Sequence, residues 1–273
     1  YNTGQLWSQI GQDIDGEAAH DESAYSISIN NNGNILAIGA PENDGNGYES
    51  GHVRIYNNNG GLWTQIGQDI DGEAAGDYSG YSVSISDDGN IVAIGARAND
   101  GNGTNAGHVR IYENIGGSWS QIGQDIDGEA VDDFSGVSVS LSADGNTVAI
   151  GAPSNDGNGN KSGHVRIYEN LLGIWSQIGQ DIDGDGVSSQ LGEEVSLSSD
   201  GKIVAITLNG KVRVFENIGG NWIQVGLDIN ASSSSVCLDS TGSILAVGEF
   251  GYNSQTGRVR IYQNTLGYGI KLV

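Results

Sequence analysis

WTQIGQDIDGEAAGDYSGYSVSISDDGNIVAIGARANDGNGTNAGHVRIYENIGGS, residues 63–118, decides the fold. Laid against residues 119–174 it is identical at 40 of 56 positions, so the chain is read first as a repeat. The opening tryptophan recurs at Trp7, Trp63, Trp119, Trp175 and Trp222, with spacings of 56, 56, 56 and 47 residues. Each copy holds four short strand-like runs parted by turn residues. In the second copy these are WTQIGQDI at 63–70, the alternating YSVSIS at 81–86, IVAIGA at 91–96 and HVRIY at 108–112. Asp88-Gly89 between two such runs marks a hairpin, and IVAIGA, apolar on both faces, marks a strand covered from both sides. Four antiparallel strands per unit, repeated five times, predict an all-β, five-bladed β-propeller with strands ordered a, b, c from YSVSIS onward and the Trp strand as outer strand d.

Composition supports one domain over residues 1–273: 45 glycines, few helix-forming blocks, and β-branched residues alternating with Ser and Asn. A formal net charge of −23, with only 11 Lys plus Arg, opposes binding to nucleic acid or to an anionic membrane surface. The single cysteine, Cys237, excludes an intrachain disulfide, and its strand-like surroundings suggest a small buried thiol. No apolar run reaches the roughly 18 residues of a membrane span, so no membrane insertion is expected. A start at Tyr1 and a lack of Met suggest a removed targeting segment or an excised piece, and the acidic, Asn- and Gly-rich, Lys-poor repeats suit a secreted or cell-surface protein.

The repeat phase bears on the ends. The chain opens with a d strand at Trp7 and closes its fifth unit with a c strand at 259–262, so pairing the N-terminal Trp strand with the last blade would close the ring and hide its edges. GIKLV at 269–273 competes for the same slot, and a displaced strand could add to a neighbouring molecule. The d-to-a and b-to-c connections fall on one side of the disk, which therefore carries the long acidic loops.

Residues 78–84, with 39–41, 151–153 and 163–168, carry the order (F/Y)SGxSVS, VAIGAP, GHVRIY. This resembles the FG-GAP repeat of integrin α-chain propellers and their bacterial relatives, across essentially the whole chain. The resemblance implies a propeller used for extracellular binding and adhesion. Integrin-type blades hold Ca²⁺ in a DxDxDG loop within the a-to-b hairpin; here that hairpin is only SDDGN, SADGN or SSDGK, so that site is not carried over.

Carboxylates recur instead in the d-to-a loop: Asp13, Asp15, Glu17; Asp69, Asp71, Glu73; Asp125, Asp127, Glu129; and Asp181, Asp183, Asp185, the last in a DxDxDG spacing that can bring alternate oxygens round Ca²⁺. The competing reading makes these residues turn formers through side-chain to backbone hydrogen bonds. The NDGNG loops offer Asn43, Asp44, Asn46, Asn99, Asp100, Asn102, Asn155, Asp156 and Asn158 either as ligands to a sugar or cation or, again, as turn residues. Arg54, Arg110, Arg166, Arg213 and Arg260 share one c-strand position, where an ion pair or stacking on a d-strand Trp is expected. His52, His108 and His164 precede three of them by two residues but lie in different blades, too far apart to share one zinc ion. The tryptophans alternate with Ile and read as packing residues rather than sugar platforms.

The first three units are nearly interchangeable, so no single blade carries a distinct pair of catalytic carboxylates, and no enzyme activity is expected. The expected function is a binding or adhesion module that recognises a glycan or an extracellular protein through its acidic loop face, with calcium as the associated ion. The alternative is a structural subunit of a surface layer or filament that self-associates through a terminal strand.

Overall fold

The computed structural model describes residues 7–231 and 234–265. Five antiparallel sheets succeed one another along the chain, as the repeat predicts. Blade 2 shows the pattern: a is Ser79–Ile85, b is Ile91–Ala96 and c is His108–Ile115, paired as a meander. The outer strand is one run in sequence but two pieces in space. Ser118–Gln121 and Ile126–Asp127 both pair with c, on either side of a break at Gly123, whose φ of 73° suits glycine. Blades 1, 3 and 4 repeat this around c strands His52–Asn58, His164–Leu171 and Lys211–Ile218. The fifth blade has three strands among the described residues: Ser234–Leu238, Ile244–Glu249 and Arg258–Gln263.

The b strands are buried on both faces, as their uniform apolarity requires; Val92, Ala93 and Ile94 are essentially inaccessible. Serines of the alternating a strands, although most are partly exposed, are bonded to the neighbouring blade. Ser82 Oγ donates to Gly136 O at 2.8 Å and Ser138 Oγ to Gly192 O at 2.8 Å, while Ser84 and Ser140 accept from the Leu141 and Leu197 amides at 2.9 Å. Each inner strand is thereby hydrogen-bonded to the next around the axis. Between blades lies an apolar layer that is nearly identical from unit to unit. Ile35, Ile55, Ile66 and Ile70 of one blade meet Ile85, Val92, Tyr112 and Trp119 of the next, and Ile91, Ile111, Ile122 and Ile126 meet Leu141, Val148, Tyr168 and Trp175. Trp119, Trp175 and Trp222 are packing residues, each also donating Nε1 to a backbone carbonyl of the preceding blade, as Trp119 does to Ile66 O at 2.9 Å.

Closure of the ring by the Trp7 strand is not what the described residues show. Trp7 is fully exposed and lies outside any strand. The faces that a closed ring would bury against each other are open: Ile27 and Ile29 of blade 1 are 64% and 56% exposed, and Val259 and Ile261 of blade 5 are 69% and 65% exposed. Their counterparts inside the array, such as Val83, Ile85, Val109 and Ile111, are buried. The physical reason is that these two faces do not meet. Ile10 and Asp15 make the contacts to blade 1 that later d strands make to the blade after them: Trp63 Nε1 donates to Ile10 O at 2.9 Å and Arg54 Nη2 to Asp15 O at 2.8 Å, as Trp119 and Arg110 do to Ile66 and Asp71. Among the described residues, however, no c strand of blade 5 stands beside Trp7 for it to pair with. The open end also corrects the reading of Cys237, which is exposed. It occupies the register position of Ser84 and Ser140, whose partner is the next inner strand, and no blade follows. GIKLV at 269–273 lies outside the described residues.

Candidate functional site

The b-to-c and d-to-a loops lie together on one side of the disk and are tied to each other. Asn43, Asn99 and Asn155 are buried, and their Nδ2 atoms donate to Asp21, Asp77 and Asp133 at 3.0, 3.0 and 2.9 Å. Asn46, Asn102 and Asn158 reach across to the carbonyls of Gly72, Gly128 and Gly184 at 2.8, 2.9 and 2.7 Å. Asp44, Asp100 and Asp156 accept the amides of Glu49, Asn105 and Lys161 within their own loops. The polar atoms of the NDGNG loops are thus engaged in bracing one d-to-a loop against the next.

The DIDGE carboxylates part company. Asp71, Asp127 and Asp183 close the short second pieces of the d strands, directly opposite His52, His108 and His164 in register; burial pushes the Asp127 and Asp183 carboxyls up. The backbone carbonyl of Asp15, and those of Asp71 and Asp127, bind Arg54, Arg110 and Arg166. Asp13 accepts Gln9 Nε2 at 2.7 Å. The remaining residues gather into three clusters, each built from two successive DIDGE loops and one histidine: Glu17, His52, Asp69; Glu73, His108, Asp125; and Glu129, His164, Asp181. Within each, one donor atom per residue lies within 4.8 Å of the others. No single ion is shared among the three histidines; each has its own pair of carboxylates.

The clusters are held open in a consistent way. His52 Nδ1 stands 4.0 Å from Glu17 Oε2 and 3.9 Å from Asp69 Oδ2, beyond hydrogen-bond reach. The other oxygen of each carboxylate is held from behind: Arg54 Nη1 is 3.5 Å from Glu17 Oε1, and Gln65 Nε2 donates to Asp69 Oδ1 at 2.5 Å. The second and third clusters repeat this with Arg110 and Gln121, then Arg166 and Gln177. His108 is 1% exposed and neither ring nitrogen has a hydrogen-bond partner. Burial, reinforced by the neighbouring arginine, pushes the His108 and His164 imidazoles down to about 4, which leaves them neutral at physiological pH. The arginines lie against the Tyr two residues on in their own strand rather than against Trp; Arg110 Cζ is 5.6 Å from the Tyr112 ring centre.

In the fourth blade the DxDxDG run does not wrap one ion either. Asp181 belongs to the third cluster, whereas Asp185 faces Asp228, with Lys211 in the position of the histidine. The Lys211 ammonium stands 2.8 Å from Asp228 and 3.7 Å from Asp185. Arg213, bonded to both, holds the two carboxyls well below their usual range.

A second feature breaks the repeat. On the loop side, at the entrance to the inner strands, Tyr25 and Tyr81 have ring centres 4.8 Å apart, and the Arg97 guanidinium lies 4.2 Å over Tyr81 and 5.2 Å over Tyr78. Tyr25 is half exposed. Burial pushes the Tyr25 hydroxyl up to about 12, and the bond to Glu49 does the same for Tyr78, so both remain proton donors. The sequence signal was present but weak: Val137 and Glu193 stand where blades 1 and 2 have Tyr, and Pro41 and Pro153 where blade 2 has Arg97.

Residues 70–112, the span from the outer strand of blade 1 through the c strand of blade 2, match the family model of the FG-GAP repeat. This propeller carries an FG-GAP repeat. The chain as a whole is similar in fold to three solved structures. A Bacteroides uniformis protein provisionally described as a 6-phosphogluconolactonase superposes with a TM-score of 0.59 at 12% identity, covering 88% of this chain and 72% of that one. The periplasmic gluconolactonase of Pseudomonas aeruginosa gives 0.56 at 17%, covering 87% and 71%. TolB of Acinetobacter baumannii gives 0.52 at 14%, covering 87% of this chain and 51% of TolB. At these identities the likeness is one of fold. No curated protein matches this chain in sequence.

Proposed function

We propose that this chain is a secreted or cell-surface binding module that recognises a glycan or protein through its loop side, without catalysis. The observation that supports this reading is the Tyr25–Tyr81–Arg97 cluster. Two partly exposed rings tilted 41° to each other, with a guanidinium over one of them, supply an apolar face together with hydrogen-bond donors, the combination that a sugar ring or a protein aromatic requires. Divalent cations enter this reading as braces for the loops. Calcium is the ion suggested by the acidic runs, and the choice of ion turns on the donor set considered below.

Replacing Tyr81 and Arg97 by Ala should weaken binding to the best ligand of an immobilised glycan and extracellular-protein panel at least about tenfold, the scale of one lost binding hot spot. Surface plasmon resonance on the parent and double variant checks it. Equal affinity for the two would move the binding site elsewhere on the disk.

A second reading, a building block for a filament or surface layer, is favoured by a cavity among the described residues of the fourth and fifth blades. Ile203, Val214 and Val225 of blade 4 with Leu238, Leu245 and Tyr262 of blade 5 line a cavity of about 250 Å³. They are the counterparts of the residues that surround Trp119 and Trp175 in blades 2 and 3. WSQI, the sequence that fills the slot at residues 119–122 and 175–178, occurs again at 7–10, where Trp7 is exposed. Blade 1 already holds the following residues, so the Trp7 strand of one copy would enter blade 5 of the next and cover Val259 and Ile261 with Ile27 and Ile29. Such head-to-tail contacts give rings or filaments. Light scattering should show mass growing with concentration for the parent chain and a constant monomer mass for Trp7→Ala; a parent that stays monomeric at high concentration removes this reading.

A further inference from the structure

We propose that the Glu–His–Asp clusters of blades 1, 2 and 3 are three equivalent binding sites for a divalent transition-metal ion of the zinc class. The donors are Nδ1 of His52, His108 or His164 with one oxygen each from Glu17 and Asp69, Glu73 and Asp125, or Glu129 and Asp181. This goes beyond the ligand-binding reading and does not depend on it.

Four observations converge. The first is spacing. Two donors each about 2.1 Å from a tetrahedral ion lie some 3.4 Å apart, and the His52 pairs, at 3.9 and 4.0 Å, need only a small contraction to meet one. Left as they are, these atoms are too distant to bond to each other.

The second is orientation. An arginine or glutamine holds the rear oxygen of each carboxylate and leaves the front one free, as outer hydrogen bonds do around ligating groups. The third is His108 itself, buried with both nitrogens unpartnered and Nδ1 directed at Glu73 Oε2, 3.9 Å away. A buried polar group without a partner is costly, and a metal ion would satisfy the lone pair it turns to the carboxylates.

The fourth is the internal comparison. In blade 4, where lysine replaces histidine, the ammonium of Lys211 stands between Asp185 and Asp228. That blade carries its own cation where the other three carry a neutral ligand, so the position accommodates positive charge. An imidazole donor selects the ion. Calcium and magnesium prefer oxygen alone, whereas zinc and its neighbours take nitrogen readily. Three protein donors leave one position of a tetrahedral ion for water. Because Glu and Asp come from successive loops, each ion would staple two loops across one blade.

The test is calorimetric titration of the chelator-stripped full chain with Zn²⁺ in millimolar calcium, paired with Co²⁺ absorption to report nitrogen ligation. Three equivalents are expected for the parent, two for His108→Ala and none when His52, His108 and His164 are all replaced by Ala. His108→Lys, which imports the blade 4 arrangement, should also lose one equivalent while keeping the parent near-ultraviolet circular dichroism, separating loss of a site from loss of the fold. Lys211→His should add a fourth. A stoichiometry indifferent to the histidines, or binding abolished by the calcium, would overturn the assignment and leave only diffuse attraction to the acidic surface.

Discussion

Gly95→Ala is expected to lower the thermal midpoint by roughly 6–12 °C, corresponding to about 3 kcal/mol in a domain of this size. A Cβ on Gly95 would fall 2.1 Å from the Gly136 carbonyl oxygen and 2.4 Å from Ser82 Oγ. Neither atom can retreat freely. Ser82 Oγ donates to that same carbonyl at 2.8 Å, and the Gly136 amide donates to Gly151 O at 3.0 Å, so moving one atom disturbs bonds linking blades 2 and 3. The methyl group therefore forces neighbouring blades apart at the axis instead of relaxing within one loop. Gly33→Asn is the control: it sits at φ 69°, a conformation asparagine tolerates, with nothing within 4 Å of its Cβ, and should change the midpoint little. Circular dichroism melts of the two variants beside the parent decide the matter. Equal midpoints for Gly95→Ala and parent would mean that the blades are looser at the axis than these contacts imply.

Trp175→Ala should cost about 3–5 kcal/mol, as measured by denaturant unfolding. The indole is 3% exposed, lies among Ile122, Ile126, Leu141, Val148 and Tyr168, and donates Nε1 to Ile122 O at 2.9 Å. Removing it deletes apolar contact on both sides of a blade interface and strands a carbonyl. Trp7→Ala, the same substitution at the same place in the repeat, should leave the stability of the isolated chain nearly unchanged because Trp7 is fully exposed. A small cost at Trp175 would show that the interblade layer refills the space.

The repeat in the sequence carried most of the fold: the blade count, the a-to-d strand order, the double-sided burial of IVAIGA and the packing role of the later tryptophans. What it did not carry was curvature. A strand pattern states which strands can pair, but whether strand d of the first copy reaches the last blade depends on the angle accumulated over four interfaces, and no residue encodes that angle alone. Cys237 followed from the same gap, since its exposure depends on whether a blade comes next. The Glu–His–Asp clusters were hidden differently. Their carboxylates come from successive DIDGE copies, Glu17 and Asp69 being 52 residues apart, whereas a single loop groups Asp181 with Asp183 and Asp185, which the folded chain sends to separate places. The histidines, far from one another in the sequence, meet their carboxylates only in the fold. Tyr25, Tyr81 and Arg97 were legible solely as departures from the other copies.

The serine bridges and apolar layers between blades join each unit only to its immediate neighbours. Thermodynamically the open arc is thus a one-dimensional lattice whose stability is a sum over intrinsic units and nearest-neighbour couplings, as in solenoid arrays. An interior unit enjoys two couplings and a terminal unit one, so cooperativity is lowest at blades 1 and 5, the blades whose outer faces stand open. A partner that occupied either end would supply the missing coupling, and would stiffen the lattice beyond the blade it touched.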